Sequence, residues 1–253
     1  MGAAIAGDDG ELAGRCAIVT GASRGVGLAA ARRLAAAGAL VVLTGRDAAA
    51  GAAAEGAIRD CGGQARFVAA DQGDDGDWTR VISEAEATFG RVDVVVLNAG
   101  VSEMAATADL SLDDFRRVCR INLKGPFLGL KHGVEAIRRG GRGGSVVMIA
   151  SIAGRIGVAD HIHYTASKAG VAMLAKAAAL ELGPEHIRVN TIYPGFVRTD
   201  MTARFDEDMK TAAPLGRVAE PGEIADAVLF LAGDRSTFMT GAEMVIDGGW
   251  TAR

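Results

Sequence analysis

Short runs of valine, isoleucine and leucine alternate with longer alanine-rich stretches along almost the whole of this 253-residue chain. The runs are Cys16–Thr20, Leu40–Thr44, Ala65–Ala69, Val92–Leu97, Ser145–Ala150 and Ile187–Tyr193, with a last one inside the tail Gly241–Gly249. Most are near-continuously apolar, the pattern of strands buried on both faces. The stretches between them have helical spacing: one ends near Gly38, and others cover about 48–61, 77–89, 111–139, 164–182 and 221–232. Strand–helix–strand repeats of this kind close as right-handed βαβ units. The expected fold class is therefore α/β, a single doubly wound domain with a mostly or wholly parallel seven-stranded sheet.

No proline- or serine-rich linker divides the chain. One domain is expected over 15–253, behind a small, acidic, flexible leader at 1–14. Two places break the alternation. Pro194 to Gly216 has no clear strand and a mixed, partly charged pattern between Pro194-Gly195 and Pro214-Leu215-Gly216, as expected of a substrate lid (about 195–216) with hinged ends. The run from Arg138 to Gly144 looks at first like an RNA-binding arginine–glycine segment, but a net charge of -4 disfavours nucleic acid and anionic membranes. It reads instead as a glycine-terminated helix with its basic residues at the negative pole of the dipole. Cys16, Cys61 and Cys119 are odd in number and unrelated in spacing, so neither disulfides nor a zinc site is expected, and free thiols fit a cytoplasmic protein. No stretch approaches the length of a membrane span.

Two clusters carry chemistry. In the first strand–turn–helix, Thr20-Gly21-x-x-x-Gly25-x-Gly27 places glycines where free N–H groups and a helix dipole receive a phosphate. In the second, Tyr164 and Lys168 stand four apart on one helix face. A tyrosine is a poor acid at neutral pH, but an ammonium about 4–6 Å away favours its phenolate. Ser151 follows an apolar run, so its hydroxyl is expected at the C-terminal edge of the sheet, where open α/β sheets bind ligands.

These motifs, with Leu97-Asn98-Ala99-Gly100, Asn122 and Pro194-Gly195-x-x-x-Thr199, occur in the order and spacing of the short-chain dehydrogenase/reductase family, which the chain resembles over nearly its full length. Leu97 departs from the family's asparagine, at a position that stabilises the sheet. The resemblance implies a Rossmann domain and hydride transfer between a nicotinamide cofactor and a carbonyl carbon. Ser151 would hydrogen-bond the carbonyl oxygen, Tyr164 would donate the proton, and Lys168 would hold the ribose and lower the tyrosine pKa. Asn122 would kink its helix and anchor a water leading to Lys168. The implied cofactor contacts begin with Gly21, Ser23, Arg24, Gly25, Val26 and Gly27 in the first turn. Asp71, closing the third strand, would touch the adenine, and Gln72, Asn98, Ala99, Gly100, Pro194, Gly195, Val197 and Thr199, with Gly45, Arg46, Tyr164 and Lys168, would complete the cofactor contacts.

By family spacing, Gly45 occupies the position of the acid that would chelate the ribose diol of NAD(H). Arg46 follows it and Arg24 supplies a second guanidinium, so NADP(H) is the expected cofactor, with NAD(H) the alternative if Asp47 holds that position. The Thr44-Gly45-Arg46 and Asp77-Trp78-Thr79 segments and the ending Asp247–Arg253 resemble small tetrameric secondary-alcohol dehydrogenases. That implies a ketone reductase and a homotetramer, ahead of a 3-oxoacyl-carrier-protein reductase or a non-catalytic NADP-sensing protein. Pocket candidates are Glu103, Met104, Ile152, His161, His163, Phe196, Met201 and Phe205. His161 and His163 are expected in a polar pocket wall or a solvated loop, since no cluster at ligand spacing accompanies them and no metal is required.

Overall fold

A computed structural model describes residues 10–203, 205 and 212–252. The apolar runs become β1 (Cys16–Thr20), β2 (Leu40–Gly45), β3 (Gln64–Ala69), β4 (Val94–Leu97), β5 (Gly144–Ile149), β6 (Ile187–Pro194) and β7 (Glu243–Ile246). All pairings are parallel, in the order β3-β2-β1-β4-β5-β6-β7. The chain reverses its direction of travel across the sheet between β1 and β4, which opens a crevice beyond their C-terminal ends.

Helices α1 (Gly25–Ala36), α2 (Ala48–Asp60) and α7 (Pro221–Ala232) bury alanine and leucine against one face of the sheet. Helices α3 (Asp75–Phe89), α5 (Gly125–Gly140) and α6 (Ile162–Leu182) pack on the other, around Trp78, Ile137 and Val171. Trp78 is core rather than site: its indole N–H donates to the Gln72 carbonyl at 2.9 Å. Leu97 is likewise core, and Gly129 on α5 is small because a Cβ there would come within 2.4 Å of it.

Two sequence expectations shift. The fourth strand starts at Val94 because Asp93 meets β1 through its carboxylate as well as its backbone, accepting the Cys16 N–H at 2.9 Å and holding Arg91. The single long helix expected over 111–139 is α4 (Leu112–Cys119), a π-turn at Arg120–Lys124, and α5. A widened turn of this kind is characteristic of functional positions, and this one carries Asn122. The arginine–glycine run ends α5 at a left-handed Gly141 (φ 69°), and Arg138 pairs with Glu185 and Glu135.

Residues 1–9 of the expected leader lie outside the described residues; of the remainder, Gly10, Ala13 and Gly14 are exposed while Leu12 is anchored. Leu12 is fully buried and its N–H donates to the Ala37 carbonyl at 2.9 Å, because its side chain fills the layer under α1. Of the expected lid, 204 and 206–211 also lie outside that description. Val197 bridges to Ala219, and Leu215 N–H donates to Gly248 at 3.1 Å, so both ends of the segment are tied to the body.

Candidate active site

Helix α1 begins without a cap. Arg24 precedes it in extended conformation with no side-chain hydrogen bond to the first turn, and that turn holds no acid. By contrast Asp47, Asp74 and Ser111 cap α2, α3 and α4, and Glu220 and Glu223 form a capping box on α7. The first N–H groups of α1 are thus left for an anion, with the helix dipole behind them.

The turn before α1 is shaped by close approach. Gly21 has φ +63°, and a Cβ there would come within 2.9 Å of the Ala99 Cα; at Gly27 it would lie 2.3 Å from the Gly21 carbonyl. Thr20 locks this turn to the end of β4 by accepting the N–H groups of Asn98 and Ala99, each at 3.0 Å. Asn98 Nδ2 returns to the Thr20 carbonyl at 2.9 Å.

The result is a cavity of about 940 Å³ running along the sheet's C-terminal edge. It is lined by Gly21, Ser23, Arg24, Gly25 and Val26 at the first turn and by Gly45, Arg46, Asp71 and Gln72 at one end. Asn98, Ala99 and Gly100 form its floor, and Ser151, Tyr164, Lys168, Pro194, Gly195, Val197 and Thr199 lie toward the other end. Gly27 and Asn122 stand behind this lining. The shape and the free helix N-terminus fit a dinucleotide.

Asp47 is occupied as the cap of α2, accepting the Ala50 N–H at 3.0 Å, while Gly45 ends β2 with room for a side chain: a Cβ there would stand 3.5 Å from Ser23 Oγ. Among the described residues Arg46 is exposed with no hydrogen-bond or ion-pair partner, and Arg24 makes only a long, exposed contact of 3.9 Å with Asp200. Arg32, missed in the sequence, joins the same lining and is also unpartnered among the described residues. Its spacing was the signal, since Arg24, Leu28 and Arg32 are i, i+4 and i+8 on one stripe of α1. Burial pulls the Asp71 carboxyl up, but Arg120 and the Gly73 N–H outweigh it and hold Asp71 below the usual range.

At the other end Ser151 leaves β5 extended, and its Oγ accepts the Ala153 N–H at 3.2 Å. The turn that follows packs onto α6 only because residue 154 is glycine: a Cβ there would stand 2.8 Å from the Lys168 carbonyl carbon. Lys168 is buried, its Nζ 5.8 Å from the centre of the Tyr164 ring and donating to the Ile149 carbonyl at 2.8 Å. Burial pushes its pKa down to about 8. Asn122 faces the Val101 backbone from the π-turn, accepting its N–H and donating to its carbonyl, both at 2.8 Å, and it donates to Ser167 Oγ at 3.3 Å. Gly100 is squeezed between these groups; a Cβ there would lie 3.3 Å from Asn122 Oδ1 and 3.5 Å from Lys168 Nζ.

Among the pocket candidates, Ile152, His161, Phe196, Met201 and Phe205 line the cavity, whereas Glu103, Met104 and His163 do not. Arg117 on α4 holds the Glu103 carboxylate below its usual range, and Met104 faces solvent. His163 is buried in the first turn of α6, where desolvation lowers its pKa, so neither histidine sits in a solvated loop. Rings form a continuous wall: Trp250 to Phe196 at 5.4 Å, Phe196 to Phe205 at 5.3 Å, Phe205 to His161 at 5.7 Å. Trp250 was not singled out from the sequence. Its signal was Asp247 four residues before Thr251: the carboxylate accepts the N–H groups of Gly249 and Thr251, both at 2.8 Å, and turns the tail over the site.

A family model described as enoyl-(acyl carrier protein) reductase matches residues 21–251. The chain is 44% identical to trans-4-hydroxycyclohexanecarboxylate dehydrogenase of Sinomonas cyclohexanicum, covering 96% of this chain and 95% of that one. It is 39% identical to the NADP-dependent (R)-specific alcohol dehydrogenase of Lentilactobacillus kefiri (96% and 99%) and 41% identical to a 3-alpha-(or 20-beta)-hydroxysteroid dehydrogenase of Mycobacterium tuberculosis (96% and 92%). Its fold superposes on a short-chain type dehydrogenase/reductase from Mycobacterium marinum with a TM-score of 0.93 at 34% identity, over 97% of this chain and 99% of the other.

Proposed function

The chain belongs to the short-chain dehydrogenase/reductase family, and from that premise we propose that it transfers a hydride between NADP(H) and a secondary alcohol or ketone. The observation that carries this reading is that Ser151, Tyr164 and Lys168 line the same cavity as the uncapped N-terminus of α1. The bound cofactor would supply the hydride chemistry. In reduction, the Ser151 and Tyr164 hydroxyls donate hydrogen bonds to the carbonyl oxygen, and Tyr164 passes its proton as negative charge develops there. Lys168, with a pKa lowered to about 8, remains largely protonated at neutral pH and stabilises the phenolate left on Tyr164. Asn122 secures the Val101 backbone beside this group, and the family pattern assigns it a water on the path to Lys168.

NADP(H) is favoured over NAD(H) by Arg46 and Arg24, with Arg32 behind them, and by Gly45 where an acid would repel a 2′-phosphate. The relative from Lentilactobacillus kefiri, named as NADP-dependent, agrees with that choice. For substrate, a ring-lined wall suits a cyclic or aryl ketone better than the flexible arm of an acyl carrier protein, and the relatives are named as hydroxycyclohexanecarboxylate, hydroxysteroid and (R)-specific alcohol dehydrogenases. We further assign a cytoplasmic homotetramer. Its three cysteines are free thiols, and Phe127 on α5 and Met173 and Leu180 on α6 expose apolar surface of the kind that marks an interface.

The test is loss of NADPH absorbance against cyclic, aliphatic and aryl ketones and a 3-oxoacyl thioester. Fastest turnover of a cyclic or aryl ketone with NADPH supports the reading. Preference for the thioester would replace it with the carrier-protein reductase, and NADPH binding without any turnover would replace it with a sensor.

A further inference from the structure

The substrate end of the cavity contains a polar atom that the reaction does not use. His161 lies at the start of α6 and is 3% exposed. Its Nδ1 is 2.8 Å from the Ala159 carbonyl oxygen. A carbonyl can only accept, so Nδ1 carries the proton, and in the neutral ring Nε2 is left as an acceptor. Nε2 is buried and has no hydrogen-bond partner among the described residues. An unpaired buried acceptor is costly and calls for a partner, and of the buried histidines with unpaired nitrogens, His161 and His163, it is His161 that lines the cavity. The ring lines the cavity, stacks on Phe205 at 5.7 Å and meets Tyr164 edge-on with centroids 6.2 Å apart, so it stands beside the ring that carries the proton donor. Its lining neighbours Ile152, Phe196 and Met201 carry no oxygen or nitrogen in their side chains, and the other acceptors of the same lining, among them Asp200 and Thr202, belong to the segment after β6.

Building on the ketone-reductase reading, we infer that His161 Nε2 is a specificity group. It accepts a hydrogen bond from a hydroxyl carried on the substrate away from the reacting carbonyl, so the favoured substrates are hydroxylated cyclic ketones. A buried acceptor in a ring-lined wall discriminates strongly, because a substrate without the donor leaves that acceptor unpaired while one with it gains a bond.

The experiment compares 2-, 3- and 4-hydroxycyclohexanone with the matching methylcyclohexanones, using NADPH and wild type, His161→Gln, His161→Phe and His161→Leu. The readout is the hydroxyl-to-methyl ratio of kcat/KM at each ring position, which is internal to each protein and so cancels any general loss of activity. Wild type should favour the hydroxyl at one position by about 10- to 100-fold. His161→Gln, which can present an amide oxygen near the same place, should keep part of that preference. His161→Phe and His161→Leu should bring the ratio to one or below, and two apolar variants guard against a fold defect in either. Turnover of the methyl ketones with the same ratio in all four proteins overturns the assignment while leaving the reductase reading intact. No turnover of any ketone by wild type overturns both. A preference for 4-oxocyclohexanecarboxylate over the hydroxy ketones, lost in His161→Phe, also overturns the acceptor role, since it requires a protonated ring.

Discussion

Lys168→Met should make the protein more stable while abolishing its activity. The lysine is fully inside, and burial takes its pKa from the ordinary 10.5 to about 8. At about 1.4 kcal/mol per pH unit, the charged form costs the folded state about 3 kcal/mol. Methionine fills a similar volume without charge but loses the bond from Nζ to the Ile149 carbonyl, an offset of about 1 kcal/mol. The net gain of about 2 kcal/mol corresponds to a Tm higher by about 4–8 °C in a chain of this size. The pH dependence makes the test specific. Between pH 8 and 10.5 the unfolded lysine still binds its proton while the folded one has released it, so wild-type stability rises relative to the variant across that window. Urea unfolding of both proteins at one protomer concentration, from pH 7 to 10.5, should show the variant's advantage full at or below pH 8 and shrinking toward the top of the range. An advantage that is absent at pH 7, or constant throughout, would refute the reasoning that burial of the charge is costly here.

Tyr164→Phe keeps the ring and removes the proton donor, so kcat/KM for ketone reduction should fall by about 10²–10⁴-fold while NADPH affinity measured by fluorescence changes little; rates within tenfold of wild type would sink the assignment. Arg46→Ala should raise the KM for NADPH over that for NADH by about 10- to 150-fold, the effect of one charge-assisted contact. Gly45→Asp has room beside Ser23 and should go further by repelling the 2′-phosphate, whereas a wild type that prefers NADH, or an unchanged ratio in this variant, would shift attention to Asp47. Sedimentation should give a tetramer, with Phe127→Asp on the exposed face of α5 lowering the assembly state; a stable wild-type monomer at micromolar concentration contradicts the interface.

How much of this was readable in the linear chain depends on the range of the interaction concerned. The strands were legible because parallel strands buried on both faces need continuous apolar runs, and Cys16–Thr20 falls where its pattern puts it, as does the helix Pro221–Ala232 by its own period. The Tyr164 and Lys168 pairing was legible because helical periodicity puts residues four apart on one face. The glycine turn was legible because a phosphate-binding helix start needs small residues within a few positions of each other.

What could not be read depends on contacts between distant segments. Periodicity could not reveal the π-turn at Arg120–Lys124, since the polar contact that holds it comes from Val101, on another loop. Glu103 and Met104 were plausible wall residues by position, yet Arg117 captures one and solvent the other, and both fates depend on how α4 packs. Trp250 reaches the site only because Asp247 turns the tail over Gly195, where a Cβ would come within 2.8 Å of the Asp247 Cα. Local patterning can point to the residues proposed to carry the chemistry, because that information lies within one turn of helix or one strand end. Which side chains enclose the substrate depends on three-dimensional packing, because the wall draws His161, Phe196, Phe205 and Trp250 from segments that meet only after the sheet has closed.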